Sequence, residues 1–195
     1  FEHGMFTVSG TDKSVALAEV ARTSFQPAKL PDNVEPGLYE IGSYDGGLPT
    51  YPNGCHVSEV EIDRVTGQVE IVKYTVVDDV GTVLNPLLLK GQIHGGIAQG
   101  AGQGMMEDIR VDPESGQVIT GSFLDYAMPR ADNFCHIDIS SNEFPTPNNP
   151  LGVKGAGEAG TVGALPSVMN AINDALASAG ADNIEMPATS EKVWR

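Results

Sequence analysis

Two glycine-rich segments constrain the fold of this chain more than any other feature of its sequence. Six of the fourteen positions in residues 91–104 are glycine, and four of the nine in residues 152–160 are. A glycine inside a helix costs about 1 kcal/mol relative to alanine, so a fold that keeps so many must use their small size. The first segment therefore predicts either tight packing against another element or close contact with a bulky ligand. Both interpretations are open at this point.

A single carboxylate stands among the small residues of the second segment. Glu158 follows Gly155 and Gly157, which have no side chains to cover it. If other parts of the protein enclose this loop and exclude water, the carboxylate is suited to act as a general base. A solvated loop glutamate is the alternative interpretation.

The glycines of the second segment also have the spacing of a dinucleotide-binding fingerprint. That fingerprint requires a buried strand directly before Gly155 and a βαβ unit around it. A loop with Pro147 and Pro150 precedes the glycines instead. A dinucleotide-binding domain that uses Gly155 to Gly160 is therefore an alternative that only a strand ending next to Gly155 would favour.

Strand patterns dominate the middle of the chain. Residues 56–63 and 68–77 are rich in β-branched side chains and flank a Thr-Gly pair that ends at Gly67, which predicts a hairpin. The same turn pattern recurs at residues 112–118, and a further strand is predicted at residues 135–141. The repetition predicts two hairpin units.

Helical patterns accompany the two predicted hairpins. Residues 87–108 follow the first, and residues 167–179 follow the second, with Pro166 at the start and Gly180 as the C-terminal glycine. A shorter helix is predicted at residues 11–24. We therefore predict an α+β fold in which helices pack against a mainly antiparallel sheet from two hairpin-helix units.

The acidic composition limits the partners of the chain. With 26 acidic and 11 basic residues, the formal net charge is -15, which would repel nucleic acid and anionic lipid. No apolar run approaches the ~20 residues that a membrane-spanning helix needs. We therefore expect no nucleic-acid partner and no membrane span. The expected location is the cytoplasm, with the periplasm as the open alternative.

The residue types that bind metals have no suitable spacing in this sequence. Cys55 and Cys135 are far apart and indicate neither a disulfide framework nor an iron–sulfur site. Asp78 and Asp79 are adjacent on a predicted strand, so their side chains point to opposite faces, and turn or cap roles are favoured. We assign no metal ligand.

Taken in order, several motifs resemble the C-terminal part of the molybdopterin-binding large subunit in the xanthine dehydrogenase and aldehyde oxidase family of molybdenum hydroxylases. The motifs lie at residues 56–63, 79–81, 85–86, 91–104, 125–129, 152–158 and 187–193. The family's large subunits are several times longer, so we expect a fragment or a processed subunit, as the absence of an initiator methionine at Phe1 also indicates. Residues 1–54 are then an N-terminal helix and a long irregular segment, and residues 55–195 are the C-terminal cofactor-binding domain.

The resemblance implies a molybdopterin-type molybdenum cofactor and assigns residues to it. Glu158 matches the glutamate that ends the family's Gly-x-Gly-Glu motif and acts as the catalytic base. Gln92 and Gln99 are implied to contact the cofactor. The glycines that are implied to let the helix approach it are Gly95, Gly96 and Gly100. Exposed amides near Gly155 and Gly157 would suit the pyrophosphate of a cytosine dinucleotide form of the cofactor.

The resemblance also implies an activity and partners. The family hydroxylates an aldehyde or heterocyclic carbon with oxygen derived from water. Electrons leave through iron–sulfur and FAD centres on partner subunits or other domains, so the fragment alone is expected to be inactive. A non-catalytic structural or assembly domain of the same family is the alternative, and the loss of Glu158 would be its mark.

Overall fold

The computed structural model describes all 195 residues, which form two compact units. The first unit is Phe1–Asp45 and the second is Gly46–Arg195. The boundary predicted from the sequence, between residues 54 and 55, is later in the chain. Part of the difference arises because Asn53 and Gly54 already belong to the first long strand of the second unit.

The first unit combines a short hairpin with a short helix. Strands β1 (Met5–Thr7) and β2 (Ser14–Ala16) pair in antiparallel fashion, and helix α1 (Leu17–Ser24) follows directly. A turn of 3₁₀ helix, Pro27–Lys29, comes next, and residues 30–45 contain no helix or strand. The helix that was predicted from residue 11 therefore begins later, because β2 pairs with β1.

The second unit is built on a three-stranded sheet. Its strands are β3 (Asn53–Ile62), β4 (Val69–Asp79) and β5 (Ile137–Ser141), in the order β3-β4-β5. β3 and β4 are antiparallel, as the hairpin pattern predicts, whereas β5 lies parallel to β4. The α+β class predicted from the sequence is confirmed.

The two similar turns have the same local structure but different surroundings. In each turn the N–H of the first aspartate donates to the carbonyl of the last glutamine, and the glycine has a positive φ, +71° at Gly67 and +72° at Gly116. The first turn joins β3 to β4, whereas the second is closed by one isolated bridge. The second predicted hairpin is therefore limited to its turn and one antiparallel bridge, because its flanking side chains, such as Ile119, are exposed and no neighbouring strand extends the pairing.

A β-bulge decides which side chains of β4 face the core. The register shifts between Glu59 and Val60 of β3, which leaves Val72 as the extra residue of β4. Ile71 before it and Tyr74 after it are both buried, at 2% and 1% exposure, although strict alternation would place them on opposite faces. The extra residue thus lets side chains on both sides of the bulge point into the same core.

Three helices complete the second unit. They are α2 (Pro86–Met105), α3 (Ala159–Ser178) and α4 (Ser190–Trp194). The side chain of Asn85 caps the first turn of α2, and α3 ends before Gly180, whose φ of +82° fits the predicted C-terminal glycine. α3 begins earlier than the sequence predicts, so Pro166 lies inside it at an exposed position. None of the helices has both the length and the apolar character needed to cross a membrane.

Helices α2 and α3 touch through residues without side chains. A Cβ on Gly96 would lie 2.8 Å from the backbone nitrogen of Thr161, and a Cβ on Gly160 would lie 2.6 Å from the Ile93 carbonyl oxygen. Gly100 is equally close to α3. Helix packing therefore accounts for Gly96 and Gly100 without a ligand. The contact fully buries apolar residues of both helices, namely Ile93, Ile97, Ala101, Ala164, Val168 and Ile172.

Neighbouring glycines of α2 offer a matched test of this packing. Gly96→Ala should weaken the contact between the helices, because the added Cβ presses on the α3 backbone and overpacking typically costs about 1–3 kcal/mol. Gly95→Ala should not, since nothing lies within 4 Å of its Cβ and alanine is the better helix former. Hydrogen exchange at the amides of α2 and α3 should rise for Gly96→Ala alone. Equal exchange in the two variants would contradict the packing.

Candidate functional site

A buried ion pair attaches the loop that carries Glu158 to the end of β4. Lys154 Nζ lies 2.5 Å from Asp79 Oδ2, and the two side chains are only 11% and 10% exposed. Asp79 also accepts hydrogen bonds from the backbone N–H groups of Gly81 and Phe144, at 2.8 and 3.1 Å. The hydrogen bond from Lys154 is the main cause that lowers the pKa of Asp79 to about 2. The carboxylate of Asp79 thus connects three segments of the chain, which contain Gly81, Phe144 and Lys154.

Backbone contacts strengthen this attachment. Lys154 N–H donates to the Val80 carbonyl at 2.9 Å, and Thr82 N–H donates to the Gly152 carbonyl at 3.0 Å. A Cβ on Gly81 would lie 2.1 Å from the Gly152 carbonyl oxygen, and both glycines have a φ of +68°. Because only glycine combines this φ with so close an approach, the sequence specifies the attachment directly.

A side chain of α2 reaches the residue before Glu158. Gln92 Nε2 donates to the Gly157 carbonyl at 2.9 Å. Glu158 is the N-cap residue of α3, but its side chain makes no capping hydrogen bond, and the residue is exposed. Glu158 therefore lies beside the glutamine-bearing helix, and its carboxylate is not used to cap α3.

The exposed face of α2 lacks charge. It contains Gln92, Gly95, Gln99 and Gln103, and Lys90 is the only lysine, arginine, aspartate or glutamate of the helix. Solvated helix faces normally carry charged side chains, whereas glutamine amides supply donors and acceptors without charge. Nothing lies within 4 Å of a Cβ on Gly95, so a bulky group has room to approach the backbone there. This face is suited to a large polar ligand.

A groove of about 380 Å³ lies between α2 and the Glu158 loop. Its lining includes Leu88, Leu89, Gln92, Val153, Lys154 and Ala156. The volume is within the range of roughly 300–1,000 Å³ that is typical of ligand pockets. The groove places Gln92 opposite the loop that contains Gly155 and Gly157.

The structure divides the predicted site residues into three groups. The residues that lie together at the loop are Gln92, Gly155, Gly157 and Glu158. Gly95 and Gln99 lie further along the exposed face of α2, where the Gln99 side chain accepts a hydrogen bond from Thr161 Oγ1 at 3.3 Å. Gly96 and Gly100 are buried against α3.

The dinucleotide-binding alternative lacks the strand that it requires. β5 ends at Ser141, and the strand-type pairing between that residue and α3 is limited to an isolated bridge from Val153 to Gly81. The glycines of this segment serve a loop and the contact between two helices instead. The structure therefore does not support a dinucleotide-binding domain at Gly155 to Gly160.

Sequence reasoning missed the partner of Asp79. The expected turn role is present, because Asp79 accepts from Gly81 N–H, but Lys154 is 75 positions away in the chain. The available signal was a lone lysine in a glycine-rich loop. The structure contains no group of three or more histidine, cysteine, aspartate or glutamate side chains that could hold a metal ion.

Comparison with known proteins decides the family. The family model described as the molybdopterin cofactor-binding domain matches residues 1–134. The chain belongs to the molybdopterin cofactor-binding family. The matched region ends before Glu158, and alignments with individual relatives extend through that loop.

Relatives in this family align with the whole chain. The nicotine 6-hydroxylase large subunit of Paenarthrobacter nicotinovorans is 41% identical over 196 residues, and the carbon monoxide dehydrogenase large chain of Hydrogenophaga pseudoflava is 35% identical over 197 residues. Each alignment covers 100% of this chain and 24% of the relative. The chain thus spans about a quarter of the length of these relatives.

Solved structures agree with this assignment. Quinoline 2-oxidoreductase from Pseudomonas putida 86 matches with a TM-score of 0.85 and 35% identity, over 98% of this chain and 25% of that one. The Cu,Mo carbon monoxide dehydrogenase in its carbon monoxide reduced state matches with a TM-score of 0.83 and 35% identity. The match covers 100% of this chain and 24% of that one. The predicted relationship to large subunits of molybdenum hydroxylases is confirmed. These matches do not confirm the C-terminal placement, which stays a prediction.

The ion pair of Asp79 and Lys154 should make the stability of the folded chain depend on pH. Because the pKa of Asp79 is lowered from 3.8 to about 2, its ionised form stabilises the folded chain above about pH 4, and this contribution is lost as the pH falls through 2. Asp79→Asn should remove this part of the pH dependence of the unfolding free energy. The exposed Asp174→Asn should keep the wild-type profile. A profile of Asp79→Asn parallel to the wild type would refute this role.

Proposed function

We propose that this chain is the segment of a molybdenum hydroxylase large subunit that binds the pterin cofactor and supplies the catalytic base. The observation that carries the proposal is the hydrogen bond from Gln92 to the Gly157 carbonyl, which holds the open face of α2 next to Glu158. The reaction is the hydroxylation of an aldehyde or heterocyclic carbon with oxygen derived from water. The relatives named for nicotine and quinoline support the heterocyclic class.

The exposed face of α2 fits a pterin cofactor. Gln92 and Gln99 offer amide donors and acceptors that suit the polar edges of such a group, and Gly95 leaves space for it to approach the backbone. Gly96 and Gly100 are occupied by the contact with α3, so we leave them out of the cofactor contacts. When bound, the molybdenum cofactor supplies the redox chemistry, and the protein supplies orientation and proton transfer.

The loop at the start of α3 would complete the site. Gly155 and Gly157 are exposed, which suits the pyrophosphate of a cytosine dinucleotide form of the cofactor. Glu158 stands at the N-terminus of a 20-residue helix, where a negative charge is favourable, and its carboxylate would accept the proton that leaves the attacking oxygen nucleophile. Lys154 and Gln92 hold this loop from two sides, so the backbone position of Glu158 is defined.

The remainder of the large subunit is the first partner that we propose. Several large apolar side chains of the second unit are 65% to 97% exposed, namely Leu84, Leu87, Leu88, Phe123 and Leu124. Leu84, Leu87 and Leu88 lie within five residues of one another, and Phe123 and Leu124 are adjacent. Grouped apolar exposure of this kind is typical of contact surfaces. Partner subunits or domains with iron–sulfur and FAD centres would receive the electrons. We place the segment in the C-terminal part of its subunit and the enzyme in the cytoplasm.

The role of Glu158 can be tested in the intact enzyme. Glu158→Gln should lower turnover by about 100-fold or more, because general-base catalysis typically contributes 10²–10⁴-fold. Molybdenum content, measured by elemental analysis, should be unchanged, since glutamine has nearly the same shape. Glu114→Gln, in the turn that contains Gly116, is the control and should keep wild-type turnover. Wild-type turnover in Glu158→Gln would favour a non-catalytic assembly domain.

A second experiment tests the cofactor face of α2. Gln92→Leu removes the hydrogen bond to Gly157 and an amide from the face, so retention of molybdenum and pterin and the rate of turnover should each fall by up to about tenfold, the effect of one lost hydrogen bond. Gln103→Leu changes the same face near the other end of the helix and should have little effect. Equal losses in the two variants would show that Gln92 has no special position.

A further inference from the structure

A second polar cluster lies between the sheet and α3, separate from the groove beside Gln92. The side chains of His56 on β3 and Asp78 on β4 are only 4% and 3% exposed. His56 Nδ1 lies 2.7 Å from the hydroxyl oxygen of Tyr74. On the α3 side, the hydroxyl groups of Ser58 and Ser167 are 3.1 Å apart and hydrogen-bonded. The proposed function uses none of these residues.

Two glycines make room for this cluster. A Cβ on Gly54, which pairs with Asp78 across the strands, would lie 2.0 Å from Asp78 Oδ1. A Cβ on Gly163 of α3 would lie 2.3 Å from His56 Cδ2. A larger residue at either position would displace a polar side chain, so the sequence provides a space for this pair.

Two buried atoms of the cluster have no hydrogen-bond partner in the protein. They are His56 Nε2 and Asp78 Oδ2. The imidazole is 3.4 Å from the other carboxylate oxygen, Asp78 Oδ1, without the geometry of a hydrogen bond. Buried polar atoms are almost always hydrogen-bonded to protein or to ordered water, because desolvation without a partner is unfavourable. A small group that both donates and accepts would satisfy the two atoms together.

Both side chains line a cavity of about 140 Å³ under the first turns of α3. Its other walls are Pro52, Asn53, Gly54, Ala159, Val162 and Gly163. A water molecule occupies about 30 Å³ in the liquid, so the cavity has room for one and for more. Ala159 directly follows Glu158, which places the cavity at the end of α3 where the candidate base stands.

The neighbouring tyrosine occupies one nitrogen of the imidazole, Nδ1, and leaves Nε2 without a partner in the protein. The Tyr74 hydroxyl is hydrogen-bonded to His56 Nδ1, and burial raises the pKa of this tyrosine. In the tautomer in which Nδ1 accepts from the tyrosine hydroxyl, His56 Nε2 carries the proton and can donate to a group in the cavity.

We propose that this cavity is a binding site for a water molecule, which accepts a hydrogen bond from His56 Nε2–H and donates one to Asp78 Oδ2. The water joins β3 and β4 in one network through Tyr74, His56 and Asp78, directly below α3, and thereby fixes the first turns of that helix. The proposal does not rest on the proposed function, because it concerns only how α3 packs on the sheet.

A crystal structure of the intact enzyme, at a resolution that orders water, tests the proposal directly. We expect density for a water molecule within about 2.7–3.2 Å of both His56 Nε2 and Asp78 Oδ2. A cavity without density would overturn the proposal. So would a metal ion, identified by anomalous scattering, or a side chain from another segment at the same position.

Substitutions provide a second readout, which is hydrogen exchange at the amides of residues 159–167 in the intact enzyme. His56→Gln and Asp78→Asn should each speed this exchange by about tenfold, the effect of one hydrogen bond lost from a buried network. His136 and Asp138 are the matched control, since they are also 3.4 Å apart but 81% and 60% exposed. His136→Gln and Asp138→Asn should leave the exchange unchanged. The same exchange rate in buried and exposed variants would refute the network.

Discussion

The direct contact between the backbones of α2 and α3 determines where the candidate site residues lie. Because Gly96, Gly100 and Gly160 have no side chains, the helices approach closely enough to bury a continuous apolar stripe. The opposite face of α2 is then left open, and Gln92 near its start reaches the residue before Glu158. A larger side chain at the crossing would move the glutamine and the carboxylate apart.

The end of β4 supplies a second constraint, from the side of the sheet. Asp79 faces the Glu158 loop and pairs with Lys154, whereas Asp78 faces α3 and lies beside His56. Adjacent residues of a strand point to opposite faces, so one dipeptide connects the sheet to both elements that flank Glu158. This arrangement explains why a chain with few basic residues keeps two buried carboxylates at one point.

The sequence predicted those features whose signals are local. The hairpin of β3 and β4 follows from two β-branched segments and a Thr-Gly turn, and the end of α3 follows from Gly180. The start of α3 was missed, because residues 155–160 resemble a loop until the contact with α2 explains Gly160. Glu158 and Gln92 were predicted as site residues from local motifs, but only the fold brings them close together. The pairing of Asp79 with Lys154 likewise depends on the sheet.

The scarcity of charge on α2 affects how a negatively charged ligand interacts with this face. The chain has a net charge of -15, so an anion that approaches from a distance meets repulsion, which dissolved salt weakens. The face itself has no fixed charge, so a ligand would be held there by amide groups and by shape, which ions screen very little. Ionic strength therefore governs how fast an anionic ligand arrives more than how long it stays.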